Sequence, residues 1–127
     1  MEKYQSDILK AIIYFYKEEK QYNLLLLSNR SLKEQIIAND WIVDTFLTAT
    51  ERSYIYKKGR MVERIGARIA AKFSYLKFNP NADFQLLSIV NDNNDVPFLV
   101  DKNTRLNRFL VSLTHTENYS GAMIMKE

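Results

Sequence analysis

The chain has 127 residues, of which 46% are hydrophobic and 26% are charged. This length and apolar content favour one compact domain with a single core. The absence of cysteine excludes disulfides, thiolate metal sites and cysteine nucleophiles. The net charge of +3, from 18 basic and 15 acidic residues, is too small an excess to indicate nucleic acid as a partner.

The amino-terminal region lacks the features of a secretion signal. Its most apolar part, residues 8–16, is interrupted by Lys10 and is not followed by a small-residue cleavage site. No window of the sequence is long and apolar enough to predict a membrane-spanning helix. We therefore expect a soluble, cytoplasmic protein without a membrane contact.

Residues 2–22 are predicted to form a helix with one apolar stripe, and Ser6 is its candidate N-cap. The stripe contains Ile8, Ile12, Phe15 and Tyr16. Residues 24–27 are four leucines, which favour a short buried strand, and the polar residues 28–31 after them are typical of a turn.

Residues 31–46 are predicted to be helical, with a break at residues 39–40. Thr48 and Glu51 have the spacing of a capping box, so a new helix is expected to begin there. This helix is expected to end at residues 57–59, because glycine tolerates a left-handed C-cap and lysines favour a helix C-terminus.

Residues 59–78 predict a long central helix with one buried stripe. The stripe contains Met61, Ile65, Ile69 and Phe73. On another face Arg64, Arg68 and Lys72 recur every four residues, which places three cations in one row. The row alone favours a solvated helix face, and the alternative is a phosphate site, since guanidinium groups bind phosphate oxygens bidentately.

The carboxyl-terminal half of the chain predicts two strand pairs. Residues 84–91 and 97–100 flank a polar turn and favour a β-hairpin. Residues 109–116 and 119–125 favour a second pair of strands. His115 is the only histidine in the chain, and a lone histidine is more often a hydrogen-bonded structural residue than a ligand.

Residues 68–77, Arg-Ile-Ala-Ala-Lys-Phe-Ser-Tyr-Leu-Lys, resemble the signature helix of 4'-phosphopantetheinyl transferases of the holo-acyl-carrier-protein synthase type. The usual run in that family is Arg-Phe-Ala-Ala-Lys-Glu-Ala, two variable residues and Lys. Phe73 stands where the family has glutamate.

Three other segments resemble the same family in the same order along the chain. Residues 46–52 are similar to its Phe/Leu-Thr-x-x-Glu-Arg/Leu segment. Residues 95–97 keep the proline of its Gly-Lys/Arg-Pro turn but lack the glycine and the basic residue. Residues 111–119 closely match its Val-Ser-Ile/Leu-Ser/Thr-His-Thr/Ser-x-x-Tyr segment. Together these matches span residues 24–126.

The resemblance implies an α+β domain in which an antiparallel sheet packs against the long central helix. Residues 24–127 would form this domain and residues 1–23 an extra helical extension. Family members usually begin with the strand that follows this extension. The extension is therefore interpreted as a helix that covers the sheet, with an oligomer contact or a lid as the alternatives.

The resemblance also implies a reaction, namely transfer of 4'-phosphopantetheine from coenzyme A to a serine of an acyl carrier protein, in fatty acid or polyketide biosynthesis. The family commonly forms homotrimers with active sites between neighbouring subunits. Lys77 matches the family's catalytic lysine. The residues that the resemblance assigns to coenzyme A are Arg60, Arg68, Lys72, Lys77, Pro97, Ser112 and His115.

The magnesium ligands of the family are missing. Its first-strand aspartate falls near Leu25 or Ser28 here, and its helix glutamate is Phe73, none of which offers the carboxylate that Mg²⁺ requires. Three functions therefore stay open. The first function is a pseudoenzyme that binds coenzyme A or a carrier protein. The second is an active transferase whose metal ligands come from a partner subunit or from other carboxylates. The third is a structural subunit that assembles with itself or with an active paralogue. The carboxylates available for the second function are Glu34, Asp40, Asp44 and Glu63.

Overall fold

The computed structural model describes residues 3–127 as five helices and seven strands. The helices are α1 (Lys3–Ile12), α2 (Asn29–Ala38), α3 (Ile42–Phe46), α4 (Ala49–Lys58) and α5 (Met61–Tyr75). The strands are β1 (Ile13–Glu18), β2 (Tyr22–Ser28), β3 (Leu87–Asn91), β4 (Pro97–Asp101), β5 (Thr104–Arg105), β6 (Phe109–His115) and β7 (Tyr119–Lys126).

The strands form two antiparallel sheets, of order β1-β2-β7-β6 and β3-β4-β5. Helix α5 packs across one face of the larger sheet, where it contacts β2, β6 and β7. The predicted α+β architecture, with an antiparallel sheet against a long central helix, is confirmed.

The core lies between α5 and the larger sheet. Alternate residues of β2 point to the helix, so that Leu25 and Leu27 are buried while their neighbours are only partly covered. Gly66 of α5 lies directly against β7, because a Cβ atom built there would be 2.7 Å from the Cβ of Ser120. This close approach explains why a small residue stands on the sheet-facing side of the helix.

The local predictions around α4 are confirmed. The Thr48 side chain accepts a hydrogen bond from the Glu51 amide, and the Glu51 side chain accepts one from the Thr48 amide, which completes the capping box. Gly59 ends the helix with a φ of 75°, a value that favours glycine. The break at residues 39–40 separates α2 from α3.

The prediction of one helix over residues 2–22 is wrong. The helix ends at Ile12, and residues 13–18 form β1, which pairs with β2. Residues 13–16 are β-branched or aromatic, and this composition favours a strand when the edge of a neighbouring strand, here β2, is free to pair with it. Ser6 consequently lies inside α1 rather than at its cap.

Two smaller expectations also differ from the structure. Met61 belongs to the predicted buried stripe, but it lies in the first turn of α5 and is 45% exposed. Ser28 does not begin a turn, because it is the N-cap of α2, and its side chain accepts a hydrogen bond from the Ser31 amide. Among residues 3–127, no helix has the length and apolar character needed to cross a membrane.

Candidate functional site

A cavity of about 300 Å³ opens between α4, α5, the β3–β4 hairpin and β6. It is the place where several of the predicted ligand-binding residues meet. Its lining consists of Tyr54, Arg64, Ala67, Arg68, Asn91, Asp95, Pro97, Val111, Ser112, Leu113 and His115. Four of the residues that the resemblance assigned to coenzyme A are among them, namely Arg68, Pro97, Ser112 and His115.

Arg68 lies on the inner wall of the cavity and is 2% exposed. Its guanidinium stacks over the ring of Tyr54, 4.7 Å from the centroid, and its Nη2 donates to the Asn91 Oδ1 at 2.9 Å. Its Nε is buried and has no hydrogen-bond partner among the described residues. Burial lowers the pKa of this guanidinium from its ordinary value. Arg68 therefore presents a desolvated cation with an unused donor, which favours an anionic ligand.

The floor beside Arg68 is a hydrogen-bonded network. The Asp95 Oδ1 accepts from the Tyr54 hydroxyl at 3.1 Å and from the Asn91 Nδ2 at 3.2 Å. Asp95 has a φ of 62°, a left-handed conformation that aspartate tolerates in turns better than most residues do. The network holds the tip of the β3–β4 hairpin against α4 and α5, and so keeps the cavity wall in place.

A second arginine stands one helical turn before Arg68. Arg64 lines the cavity, and its Nε donates to the Gly59 carbonyl at 3.0 Å. Two arginines from successive turns of α5 thus line one cavity, an arrangement that suits a phosphate group because guanidinium groups bind its oxygens bidentately.

His115 and Glu63 meet at the edge of the cavity. The His115 Nδ1 lies 3.5 Å from the Glu63 Oε2. Arg60, which the resemblance placed at coenzyme A, is mostly exposed and does not line the cavity. Its Nε lies 3.8 Å from the same Glu63 oxygen, so Arg60 contacts the site only through Glu63.

Lys72 does not line the cavity. It lies in the core with no exposed surface, where its Nζ contacts the Glu51 Oε1 at 2.5 Å and donates to the carbonyls of Phe46 and Phe84 at 2.7 and 3.0 Å. These contacts use all three of its donors. Burial lowers the pKa of Lys72, and the carboxylate of Glu51 opposes that shift. The interpretation of the basic row as a solvated face is wrong for Arg68 and Lys72, because both are buried.

Lys77 lies at the opposite end of the helix from Arg64. It follows the last turn of α5 and faces the β1–β2 hairpin. Its Nζ lies 3.5 Å from the Glu18 Oε1 and 3.4 Å from the Tyr22 carbonyl oxygen. Within one copy of the protein, Lys77 therefore lies away from the residues that line the cavity.

The residues at the family's magnesium positions do not fit a metal ion. Phe73 packs against the rings of Phe46 and Phe84, with centroids 5.6 and 5.2 Å away. Leu25 is buried in the core, and the Ser28 hydroxyl caps α2. Within the described part of the chain, no group of three or more histidines and carboxylates has an arrangement that could hold a metal.

Some lining residues were not predicted from the sequence as part of a ligand site. Asn91 and Tyr54 come from segments predicted only as a hairpin strand and a helix, and Asp95 stands where the resembled family has the glycine of its turn. Arg64 was the exception, since its spacing from Arg68 already placed it in the basic row. Their spacing in the sequence does not indicate that the hairpin residues reach the cavity, because their position depends on how the smaller sheet packs against α5.

Comparison with solved structures finds the same fold. The holo-(acyl-carrier-protein) synthase of Bacillus anthracis str. Ames, in complex with CoA (3',5'-ADP), is 21% identical, covers 92% of this chain and 98% of its own, and has a TM-score of 0.69. This chain has the holo-acyl-carrier-protein synthase fold. The Neisseria meningitidis holo-[acyl-carrier-protein] synthase is 16% identical, with coverage of 84% and 97% and a TM-score of 0.72.

A third holo-acyl-carrier-protein synthase, from Helicobacter pylori and in complex with coenzyme A, is 13% identical, with coverage of 84% and 99% and a TM-score of 0.69. No protein-family model and no curated protein matches the sequence. At these identities the likeness shows the fold. The chemistry of the site has to be argued from the residues of this chain.

Proposed function

We propose that this chain binds adenosine 3',5'-bisphosphate, the nucleotide part of coenzyme A, in the cavity and without a divalent metal ion. The observation that carries the proposal is the buried Nε of Arg68, which has no partner in the described chain and lines the cavity beside Arg64. A phosphate oxygen would supply the missing acceptor. Two solved proteins of this fold were crystallised with CoA, one of them with its 3',5'-ADP part.

The proposal separates binding from transfer. Displacement at phosphorus requires neutralisation of the diphosphate charge, usually by Mg²⁺, and a group that accepts the hydroxyl proton. The positions that hold the metal in the family are occupied by Phe73 and by either Leu25 or Ser28. Phenyl and leucine side chains have no oxygen ligand, and the Ser28 hydroxyl carries no charge and already accepts a hydrogen bond from the Ser31 amide as the N-cap of α2. We therefore propose a coenzyme A-binding pseudoenzyme, with acyl carrier protein as its partner and the cytoplasm as its location.

Titration of adenosine 3',5'-bisphosphate into the protein, followed by calorimetry, tests the binding. We expect binding of equal strength with and without Mg²⁺. Arg64→Gln should weaken it about ten- to hundredfold, because one charge-assisted contact contributes roughly 1.5–3 kcal/mol. Arg30→Gln is the matched control, since Arg30 is exposed on α2 and pairs with Glu34.

Three results would change the proposal. Absence of binding would refute it and leave a structural subunit as the better function. Binding that tightens with Mg²⁺ would indicate that carboxylates elsewhere complete a metal site. A mass increase of apo acyl carrier protein by one phosphopantetheine, in a reaction with coenzyme A, would show an active transferase.

We further propose that the chain assembles with copies of itself through the outer sheet face, which is the side of the larger sheet opposite α5. No described element covers the exposed side chains there. The apolar residues of this face are Tyr14, Phe15, Leu24, Leu26, Leu110, Tyr119, Met123 and Met125. An exposed apolar patch of this kind favours a protein contact.

Native mass spectrometry tests the assembly. A trimer is the expected state, by resemblance to the family. Leu110→Lys on the outer sheet face should dissociate it, whereas Leu86→Lys, which changes an equally exposed leucine before β3, should not. A monomeric wild-type protein that oligomerises only with a co-expressed paralogue would favour a hetero-oligomer instead.

A further inference from the structure

Glu63 and His115 form a contact that the proposed nucleotide site does not explain. The Glu63 Oε2 and the His115 Nδ1 lie 3.5 Å apart. Both atoms are buried, and neither has a hydrogen-bond partner among the described residues, although the exposed Arg60 Nε lies 3.8 Å from the same Glu63 oxygen. Buried polar atoms are rarely left unpaired. The simplest way to satisfy both is a hydrogen bond from the Nδ1–H to the carboxylate, which a small side-chain adjustment would complete.

The backbone around this contact is held in place from both sides. Glu63 lies in the first turn of α5, and its carbonyl accepts a hydrogen bond from the Ser120 hydroxyl at 2.9 Å. His115 is the last residue of β6 and pairs with Ser120 of β7. Ser120 therefore ties the helix turn that carries Glu63 to the strand end that carries His115.

We propose that Glu63 is a positioning residue that keeps the neutral imidazole of His115 in the Nδ1–H form. A carboxylate next to one ring nitrogen determines which nitrogen carries the proton. Nδ1 is the buried nitrogen and faces Glu63, while the ring lines the cavity. Nε2 of the neutral ring is then a bare acceptor, available to a ligand in the cavity that His115 lines. A neutral histidine in this form accepts a hydrogen bond and donates none to the cavity.

This form of His115 determines which part of the ligand it contacts. A phosphate without bound protons has only acceptors, so it belongs at Arg64 and Arg68. His115 needs a donor. Adenosine 3',5'-bisphosphate offers two kinds, the 2'-hydroxyl and the 6-amino group. The inference thus rests on the proposed nucleotide binding and refines it, because His115 contacts the nucleoside rather than either phosphate group.

The position of the proton can be measured directly, because His115 is the only histidine. Long-range ¹H–¹⁵N correlation spectra of the ¹⁵N-labelled protein, recorded without ligand and at a pH where the imidazole is neutral, report which nitrogen is protonated. We expect the Nδ1–H form in the wild type. In Glu63→Met, which removes the acceptor, we expect the Nε2–H form that is common in free histidine.

Matched variants separate positioning from folding. Glu63→Gln keeps an acceptor oxygen and should retain the Nδ1–H form. Glu34→Met removes an exposed carboxylate on α2 and should leave the spectrum of His115 unchanged. A wild-type spectrum of the Nε2–H form, or identical forms in the wild type and Glu63→Met, would overturn the inference whether or not the protein binds a nucleotide.

Calorimetry with ligand analogues tests the consequence for specificity. The analogues are 2'-deoxyadenosine 3',5'-bisphosphate and purine riboside 3',5'-bisphosphate, each of which lacks one of the two donors and adds none. We expect the wild type to bind one of them about three- to tenfold more weakly than the parent, as expected for one lost hydrogen bond. Glu63→Met should not distinguish that analogue. If the wild type binds both analogues as tightly as the parent, the assignment of His115 to a ligand donor is wrong.

Discussion

Lys72→Met is expected to destabilise the protein strongly while leaving nucleotide binding unchanged. The lysine matches the family's signature run, and the resemblance assigned it to coenzyme A. In the structure its Nζ is instead enclosed by the Glu51 carboxylate and the carbonyls of Phe46 and Phe84. Methionine fills a similar volume but donates nothing, so the carboxylate and both carbonyls would lose a buried donor.

The expected cost follows from these contacts. Removal of one partner of a buried ion pair costs about 3–5 kcal/mol. Glu51 would keep the amide hydrogen bonds from Thr48 and Ile89, which places the expected loss near the lower end, at about 3 kcal/mol. Folded domains are stable by only about 5–15 kcal/mol. The variant would therefore lose a large part of the free energy of unfolding.

Urea unfolding followed by circular dichroism measures the loss. With a denaturant slope of about 1–3 kcal/mol/M, the midpoint should fall by on the order of 1–3 M. Lys57→Met is the matched control, since Lys57 is exposed on α4 and its change should stay within about 0.5 kcal/mol. Glu51→Met combined with Lys72→Met should cost less than the sum of the two single variants, because neither charge is then left unpaired.

Nucleotide binding distinguishes the two roles of the lysine. Folded Lys72→Met protein, at low temperature and without urea, should bind adenosine 3',5'-bisphosphate within about twofold of the wild type, because Lys72 does not line the cavity. A variant as stable as the wild type that no longer binds the nucleotide would refute this reasoning and show that Lys72 contacts the ligand.

Three further variants test the packing around α5 and α4. Phe73→Glu should lower the free energy of unfolding by about 3 kcal/mol or more, and thermal unfolding should show no recovery with MgCl₂, because the carboxylate would be buried beside Phe46 without a second metal ligand. Gly66→Ala should cost about 1–3 kcal/mol in urea unfolding, since its methyl group would meet Ser120 at 2.7 Å. Thr48→Ala should cost about 1 kcal/mol in the same assay through the lost N-cap.

Much of the fold could be predicted because the sequence patterns of single helices and strands agree with the way these elements pack in the structure. The capping box at Thr48 and the glycine end of the following helix depend on a few neighbouring residues. The stripe of α5 depends on helical spacing alone. The hairpin of residues 84–100 is confirmed as β3 and β4, although its first strand begins only at Leu87.

The amino-terminal region could not be predicted in the same way. Residues 13–16 continue the helical spacing of Ile8 and Ile12, yet they also have strand composition. The choice is made by β2, whose open edge lies only a few residues further along the chain and pairs with β1. Tertiary pairing overrides a local pattern here, and the sequence of the segment alone does not reveal it.

Only part of the candidate site could be predicted, because the signature motif contains residues that stabilise the core, such as Lys72, as well as residues that line the cavity, such as Arg68. Arg68, Pro97, Ser112 and His115, which the resemblance assigned to coenzyme A, line one cavity, and their role in binding stays a prediction. The resemblance could not show that Lys72 points into the core, since a row on a helix has the same spacing whether its members are buried or solvated. The direction depends on Glu51, which comes from a different helix.

The replacement at Phe73 affects both the metal site and the core. Its ring packs against Phe46 and Phe84, and those two rings also contact each other, with centroids 5.5 Å apart. A carboxylate at this position would lose its hydration between the rings of Phe46 and Phe84. The metal ligand and the aromatic cluster therefore exclude one another at one residue. The retained capping box and the Lys72–Glu51 pair lie beside the cluster and stabilise the same core, so the chain keeps the fold of the synthases with a phenylalanine at this position.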